Sequence, residues 1–213
     1  MGVFRDREEA GRALGDALAG AEIGAGQPVV VFGIPRGGVL VAAGVHAVVG
    51  GTLDVVVAAK VRAPFQPELG LGAAGPEGTF YLDEMLLAEL QVPDAYLDRE
   101  LRSRADEIKR RTALYRGDRP PPDVTDRQAL VVDDGIATGG TAVAALRWVR
   151  GLHPAELVLA APVAPPGTEL RLAAEADRII FLAEPDPFVA VGRWYRNFDE
   201  VGDEMVCRAL GTA

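Results

Sequence analysis

Residues 130–141 read Leu130-Val131-Val132-Asp133-Asp134-Gly135-Ile136-Ala137-Thr138-Gly139-Gly140-Thr141. The stretch opens as a short apolar run without alternation, which is typical of a strand buried on both faces of a parallel sheet. Two adjacent carboxylates and a small, glycine-containing loop follow, and an apolar helical pattern then extends to Arg150. A buried strand, a glycine loop and a helix in this order predict an α/β fold that binds ligands at the carboxyl end of the strand.

The loop has the composition of a phosphate-binding loop. Its glycines let the backbone approach an anion, successive N–H groups form a nest, and the helix N-terminus adds a favourable dipole. Thr138 and Thr141 add hydroxyl donors, but a Walker A loop would need lysine where Thr141 stands, which disfavours nucleoside-triphosphate hydrolysis. Asp133 and Asp134, directly before the loop, suit a sugar phosphate whose diol hydroxyls meet the carboxylates. The alternative is a purely structural turn with solvated acids.

Four more buried runs flank this strand, which we predict over 129–132, and helical patterns alternate with them. The other predicted strands are 28–33, 53–59, 156–161 and 178–182, and the predicted flanking helices are 6–21, 39–49 and 168–175. The first helix opens with Asp6 three residues before Glu9, a pattern resembling a capping box. The alternation predicts a doubly wound, mostly parallel five-stranded sheet with flanking helices and right-handed crossovers.

Two stretches interrupt the alternation within what we expect to be a single domain over 1–213. Residues 63–80 are rich in Pro and Gly, which predicts a long loop or a small hairpin that covers the sheet edge as a hood. Residues 86–115 are arginine-rich and helical, which predicts a two-helix insertion ended by the prolines of 117–123. We therefore assign 63–123 to hood and insertion, and 184–213 to a C-terminal tail.

The composition excludes several classes of chemistry. The 22 Lys and Arg against 31 Asp and Glu give a net charge of −9, which argues against nucleic-acid and anionic-membrane partners. One cysteine, Cys207, cannot form an internal disulfide, and with His46 and His153 it does not make a zinc site. The single serine, Ser103, lies in a charged helical run, so we expect chemistry without a covalent nucleophile. A charged N-terminus and no apolar span of 18 residues predict no signal peptide and a cytoplasmic location.

Two basic residues follow other predicted strands. Arg36 lies between a proline and two glycines after the first strand, where its planar fork could face a bound anion; alternatively it caps a neighbouring helix. Lys60 is one of only two lysines and follows the run 53–59, so we place it at a strand's carboxyl end. The alternative for Lys60 is an ordinary surface lysine. The other, Lys109, is predicted on a solvated helix face.

The stretch 130–141 resembles the signature of the type I phosphoribosyltransferases: an apolar strand, two acids and a loop of small residues. Residues 33–38 look like that family's pyrophosphate loop, and Lys60 falls where many members carry a pyrophosphate-binding lysine. The segments 4–7, 63–69 and 188–198 are similar to one subgroup, whose members are predicted phosphoribosyltransferases of unassigned acceptor. For that subgroup the resemblance covers nearly the whole chain.

The resemblance implies binding of 5-phosphoribosyl-1-pyrophosphate with Mg²⁺, and displacement of pyrophosphate by a small nitrogenous acceptor. The implied catalytic residues are Asp133 and Asp134, which hold the ribose hydroxyls and Mg²⁺ directly or through its waters, and Arg36 and Lys60, which neutralise pyrophosphate. The implied substrate-binding residues are Gly37, Gly38, Gly135, Ile136, Ala137, Thr138, Gly139, Gly140 and Thr141. The family also leads us to expect a homodimer and a role in nucleotide metabolism.

The sequence indicates the acceptor base less closely than it indicates the donor. Enzymes of the 6-oxopurine type carry an aspartate where this chain has Ala137, so an adenine-like or uracil-like acceptor is favoured. Gly135 replaces a commoner apolar residue, from which we expect a looser loop. Four aromatic residues of the tail either stack on a base or dock the tail on the core: Phe188, Trp194, Tyr195 and Phe198. The alternative functions are a non-catalytic donor-binding regulator acting through the helix 98–116, and hydrolysis of a phosphorylated metabolite.

Overall fold

A computed structural model describes residues 3–66 and 68–212. The helices are α1 Arg7–Gly20, α2 Gly37–Val49, α3 Glu84–Glu89, α4 Asp94–Arg116, α5 Gly140–Gly151, α6 Thr168–Leu172 and α7 Asp203–Ala209. The strands are β1 Val29–Gly33, β2 Thr52–Val55, β3 Ala59–Arg62, β4 Gly70–Ala74, β5 Phe80–Leu82, β6 Gln128–Val132, β7 Glu156–Val163 and β8 Arg178–Ala183. No helix among these residues is both long and apolar enough to cross a membrane.

The main sheet has five strands in the order β2-β1-β6-β7-β8, and every neighbouring pair is parallel. Helices α1 and α2 cover one face, where Leu14 and Val45 pack in a cluster with Leu130. Helix α5 covers the other face, where the Trp148 ring meets the Phe32 ring edge-on with centroids 6.0 Å apart. Both faces of the strands are buried, which explains their unbroken apolar runs. The predicted doubly wound parallel sheet is confirmed.

The strand order sets the place of the site. From β1 the chain crosses through α2 to β2 on one side, and from β6 it crosses through α5 to β7 on the other. The order therefore reverses between β1 and β6, which are hydrogen-bonded neighbours with Gly33 opposite Val132. The loops that follow these two strands open side by side at the carboxyl edge, and such a switch point is where open α/β sheets bind ligands.

The predicted strand 53–59 is wrong in its second half. Strand β2 ends at Val55, and Ala59 already belongs to β3, which pairs antiparallel with β4 in a separate three-stranded sheet that β5 completes. The connecting residues Val56 and Val57 are buried without being strand, because an apolar run reports burial and not hydrogen-bond pairing. Lys60 therefore lies inside an antiparallel strand and not at the end of a parallel one.

The two interrupting stretches have the predicted local structure. Of the two alternatives for 63–80, the structure has the hairpin, in which β4 pairs antiparallel with β5. The hairpin lies beside the start of α5: a Cβ built on Gly140 would be 3.7 Å from the Gly72 backbone and from the Tyr81 ring. Residues 86–115 fall on α3 and α4, and the chain leaves α4 through Gly117.

A buried ion pair joins α4 to the edge of the main sheet. Arg116, the last residue of α4, donates from Nε to Oδ1 of Asp54 on β2 at 2.9 Å and from Nη2 to the Val55 carbonyl at 2.5 Å. Arg116 is 6% exposed and Asp54 9% exposed. A charge at this depth is tolerated only when it is paired, so each residue depends on the other.

We expect Asp54→Asn to lower the free energy of unfolding by about 2 kcal/mol, because it leaves the Arg116 guanidinium buried without its counter-ion. Urea unfolding followed by circular dichroism measures the change. Asp98→Asn, on the exposed face of α4, is the matched control and should be neutral. Equal free energies for Asp54→Asn and the wild type would contradict the assignment.

Candidate active site

The two acids after β6 are held by different partners. The backbone N–H of Asp134 donates to Oδ1 of Asp133 at 2.8 Å. Arg7, at the start of α1, donates from Nε to Oδ2 of Asp134 at 2.7 Å, and the two side chains are 11% and 15% exposed. The predicted carboxylate pair is therefore present at the switch point, with a nearly buried arginine that the sequence did not indicate.

The local electrostatics favour a ligand that stabilises negative charge on the acids. Burial raises the pKa of Asp133 well above its ordinary value, and the neighbouring Asp134 raises this pKa further. Burial also raises the pKa of Asp134, although its hydrogen bond from Arg7 acts in the opposite direction. Hydroxyl donors or a cation placed at the pair would offset this desolvation.

The loop 135–139 leads into α5, and among the described residues the backbone amides of 137–139 have no hydrogen-bond acceptor. The Ile136 N–H donates to Val163 on β7, and Gly139 ends the loop with φ of +83°. Among the described residues, no carbonyl or side chain accepts from the amides of 137–141. A hollow of about 130 Å³ lies here, lined by Asp133, Gly135, Ile136, Ala137, Thr138, Gly139, Thr141 and Ala142. Free amides and a helix N-terminus around one hollow have the geometry of an anion site.

Gly135 lies where the C-terminal tail packs against the loop. A Cβ at this position would lie 2.5 Å from Cγ1 of Val191 in the C-terminal tail and 3.0 Å from Cγ1 of Val163. The space that an apolar side chain would fill is already taken by Val191. Because position 135 is a glycine, Val191 of the tail can pack directly against the loop and fill the space that a side chain would otherwise occupy.

The loop after β1 touches the acid pair directly. A Cβ on Gly37 would lie 1.9 Å from Oδ2 of Asp134 and 2.7 Å from Nε of Arg7, and one on Gly38 would lie 2.8 Å from Cα of Asp133. Arg36 makes no side-chain cap bond to α2, so the capping alternative is not observed. Its guanidinium, 40% exposed, instead donates to Glu200 at 3.1 Å. An exposed pair of this kind is weak, so Arg36 can exchange Glu200 for another anion.

Lys60 makes no hydrogen bond to the acid pair or to Arg36. Its side chain lies along Gly70 in the hairpin sheet, and Nζ donates to the Glu68 carbonyl. The antiparallel pairing of β3 with β4 fixes this direction, with Lys60 opposite Ala73. Lys109 is exposed on α4, as predicted.

Comparison with known proteins identifies the family. The sequence model of the phosphoribosyl transferase domain matches residues 8–186. The chain belongs to this family. A Mycobacterium tuberculosis H37Rv protein named "Putative phosphoribosyl transferase Rv0571c" is 41% identical over 213 residues. The match covers 100% of this chain and 47% of that protein, so the chain spans about half the length of this relative.

A solved structure supports the fold assignment over the whole chain. The crystal structure of TT1426 from Thermus thermophilus is 42% identical in sequence and superposes with a TM-score of 0.80, covering 99% of this chain and 98% of that one. The family match therefore confirms the resemblance to phosphoribosyltransferases that the stretch 130–141 indicated.

The C-terminal tail of this phosphoribosyl transferase domain packs onto the acid pair. Tyr195 is buried and donates from Oη to the Asp134 carbonyl at 2.6 Å, and burial raises its pKa. Its ring lies 5.7 Å from that of Phe4 and 5.0 Å from that of Phe198. Tyr195 thus docks the tail on the core, the second of the two alternatives. Trp194 packs on the same cluster, while Phe188 is half-buried.

Sequence reasoning missed Arg7 as a site residue, and it named Tyr195 without predicting the hydrogen bond to the Asp134 carbonyl. Arg7 is 127 positions from Asp134 along the chain, and Tyr195 is 61 positions away. Spacing along a sequence cannot show such contacts. The one available signal was that 4–7 and 188–198 both resembled the same subgroup, and the structure joins these segments through an isolated bridge between Phe4 and Tyr195.

Proposed function

We propose that the chain transfers the phosphoribosyl group of 5-phosphoribosyl-1-pyrophosphate to a small nitrogenous acceptor and releases pyrophosphate. The observation that carries this proposal is the meeting of three parts at one switch point: the acid pair, the free-amide loop before α5, and the glycine loop before α2. A diol, a phosphate and a pyrophosphate on one ligand match these three parts.

The acid pair and the loop would hold the phosphoribosyl half of the donor. In the part of the chain that the structure describes, no residue outside the pair donates to Oδ2 of Asp133 or Oδ1 of Asp134, so two oxygens remain for two ribose hydroxyls. The 5-phosphate would take the amides of 137–141, with Thr138 and Thr141 as hydroxyl donors. Both contacts are charge-assisted hydrogen bonds, the stronger class.

The loop 34–38 would face the pyrophosphate. Arg36 supplies a forked cation there, and Gly37 and Gly38 allow close backbone approach. Lys60 is also a proposed contact of the pyrophosphate. To reach it, the Lys60 ammonium must break its hydrogen bond to the Glu68 carbonyl. The hairpin 63–80 beside α5 would exclude water from the donor.

Mg²⁺ fits the donor atoms of this site. Among the described residues no group of three or more His, Cys, Asp or Glu could hold a metal unaided. Mg²⁺ commonly binds through one or two carboxylates, its own waters and substrate phosphates, so Asp133 and Asp134 with the donor's phosphates would suffice. Bound in this way, the ion would neutralise charge on the leaving pyrophosphate.

In the proposed reaction the bond from C1 to pyrophosphate oxygen breaks and a bond from C1 to the acceptor nitrogen forms. The electron pair of the broken bond leaves with pyrophosphate, and the proton of the nitrogen passes to the released pyrophosphate or to water. Positive charge develops on the ribose ring, as in glycoside chemistry, and the carboxylates of Asp133 and Asp134 would stabilise it. With Ala137 in the loop, we propose an adenine-like or uracil-like acceptor. We also propose a cytoplasmic homodimer acting in nucleotide metabolism.

Incubation with 5-phosphoribosyl-1-pyrophosphate, Mg²⁺ and a panel of bases tests the function. We expect pyrophosphate release that depends on one of the bases. Tight donor binding without base-dependent release would contradict the transferase and support a donor-binding regulator. Release without any base would support hydrolysis.

A further inference from the structure

We propose that Arg7 is a positioning residue for the phosphoribosyl donor and acts through Asp134. This inference rests on the proposed function, since it concerns how the acid pair presents itself to ribose. Arg7 is not among the residues that the family resemblance assigned to the site.

Arg7 is fixed by more contacts than an ordinary surface ion pair. Besides Nε on Asp134, its Nη1 donates to the Asp199 carbonyl at 2.9 Å, and its guanidinium carbon lies 3.8 Å from the centroid of the Phe198 ring. The side chain is 11% exposed. A planar cation held by two acceptors and one aromatic face has a single orientation, which a lysine could not reproduce.

The fixed orientation of the Arg7 guanidinium determines how the acid pair is hydrogen-bonded. Of its four carboxylate oxygens, Oδ1 of Asp133 accepts from the Asp134 amide and Oδ2 of Asp134 accepts from Arg7. Arg7 therefore fixes the orientation of the Asp134 carboxylate, so that its other oxygen is held beside the free oxygen of Asp133. Without Arg7 the Asp134 carboxylate could rotate, and no oxygen of it would be held in a fixed direction. The pair would then lose a preformed arrangement for two adjacent hydroxyls.

The positioning by Arg7 also reaches the loop before α2. The ideal Cβ position of Gly37 lies 2.7 Å from Nε of Arg7. The guanidinium thus fills the angle between the loop after β1 and the loop after β6, which are the two proposed halves of the donor site. Its positive charge offsets part of the negative charge of the pair, and its hydrogen bond lowers the pKa of Asp134 against the effect of burial.

Calorimetric titration with ribose 5-phosphate and 2-deoxyribose 5-phosphate tests this role. We expect the wild type to bind ribose 5-phosphate about tenfold more tightly than the deoxy sugar, since one hydroxyl contact to a charged group is lost. In Arg7→Gln we expect ribose 5-phosphate to bind about tenfold more weakly and the two sugars to bind alike. Arg7→Lys should restore part of the preference. Arg12→Gln, an exposed arginine on α1, is the matched control.

Titration with inorganic phosphate, which reports on the loop 135–141, separates positioning from misfolding and should give the same affinity in all variants. If Arg7→Gln keeps the tenfold preference for ribose 5-phosphate, the role of Arg7 is wrong while the donor site stands. If the affinities of Arg7→Gln for phosphate and for the sugar phosphates fall together, the positioning role is also wrong, because Arg7 would then maintain the structure of the whole site. If the wild type binds neither sugar phosphate, the donor site itself is wrong, and the inference fails with it.

Discussion

Asp134→Asn is expected to weaken binding of 5-phosphoribosyl-1-pyrophosphate about 100-fold. The substitution removes the charge that accepts from Arg7 at 2.7 Å and that would accept a ribose hydroxyl on its other oxygen. It also leaves the Arg7 guanidinium, 11% exposed, without a counter-ion beside the donor. Calorimetry with the donor and Mg²⁺ measures the loss.

Asp106→Asn is the control for this prediction, because it makes the same chemical change on the exposed face of α4 and should leave donor affinity unchanged. Thermal unfolding of both variants shows whether the fold is retained. An Asp134→Asn protein that folds and binds the donor as tightly as the wild type would overturn the assignment of the acid pair.

The architecture could be predicted because the strands of the main sheet are buried on both faces. The run before Asp133 has no alternation, since α1 and α2 cover one face of β6 and α5 covers the other. The glycine loop and the helix after it are local features, determined by residues that lie close together in the chain. The prediction failed at 53–59, where buried residues connect the two sheets. An apolar run shows that residues are buried, but it does not show that the chain leaves one sheet and pairs in another.

The site was predictable to the extent that it depends on the ends of neighbouring parallel strands. Because β1 and β6 are adjacent, the loops that carry Gly37 and Asp134 meet, as their positions after predicted strands implied. Lys60 was misplaced for the same reason that its strand was. The contacts of Arg7 and Tyr195 with Asp134 could not be predicted, because they depend on how the N-terminal segment and the tail pack on the finished sheet.

Gly37→Ala is expected to reduce donor affinity about as far as Asp134→Asn does, about 100-fold, although it adds only one methyl group. The new Cβ would lie 1.9 Å from Oδ2 of Asp134 and 2.7 Å from Nε of Arg7, far inside contact distance. The carboxylate must move, and it cannot do so without breaking its bond to Arg7, which Asp199 and Phe198 hold in place. Calorimetry with the donor and Mg²⁺ measures the effect.

The design of this experiment separates a local clash at Gly37 from a general cost of replacing glycine. Gly20→Ala at the end of α1, where a Cβ would meet nothing within 4 Å, should leave donor binding unchanged. Because Gly37→Ala acts through Asp134, adding it to Asp134→Asn should cost little more, whereas independent effects would multiply. A full additional loss of about 100-fold in the double variant would show that the added Cβ obstructs the donor directly and not through Asp134. Unchanged donor affinity in Gly37→Ala alone would mean that the pair of Arg7 and Asp134 can shift without loss, which the close packing around both side chains argues against.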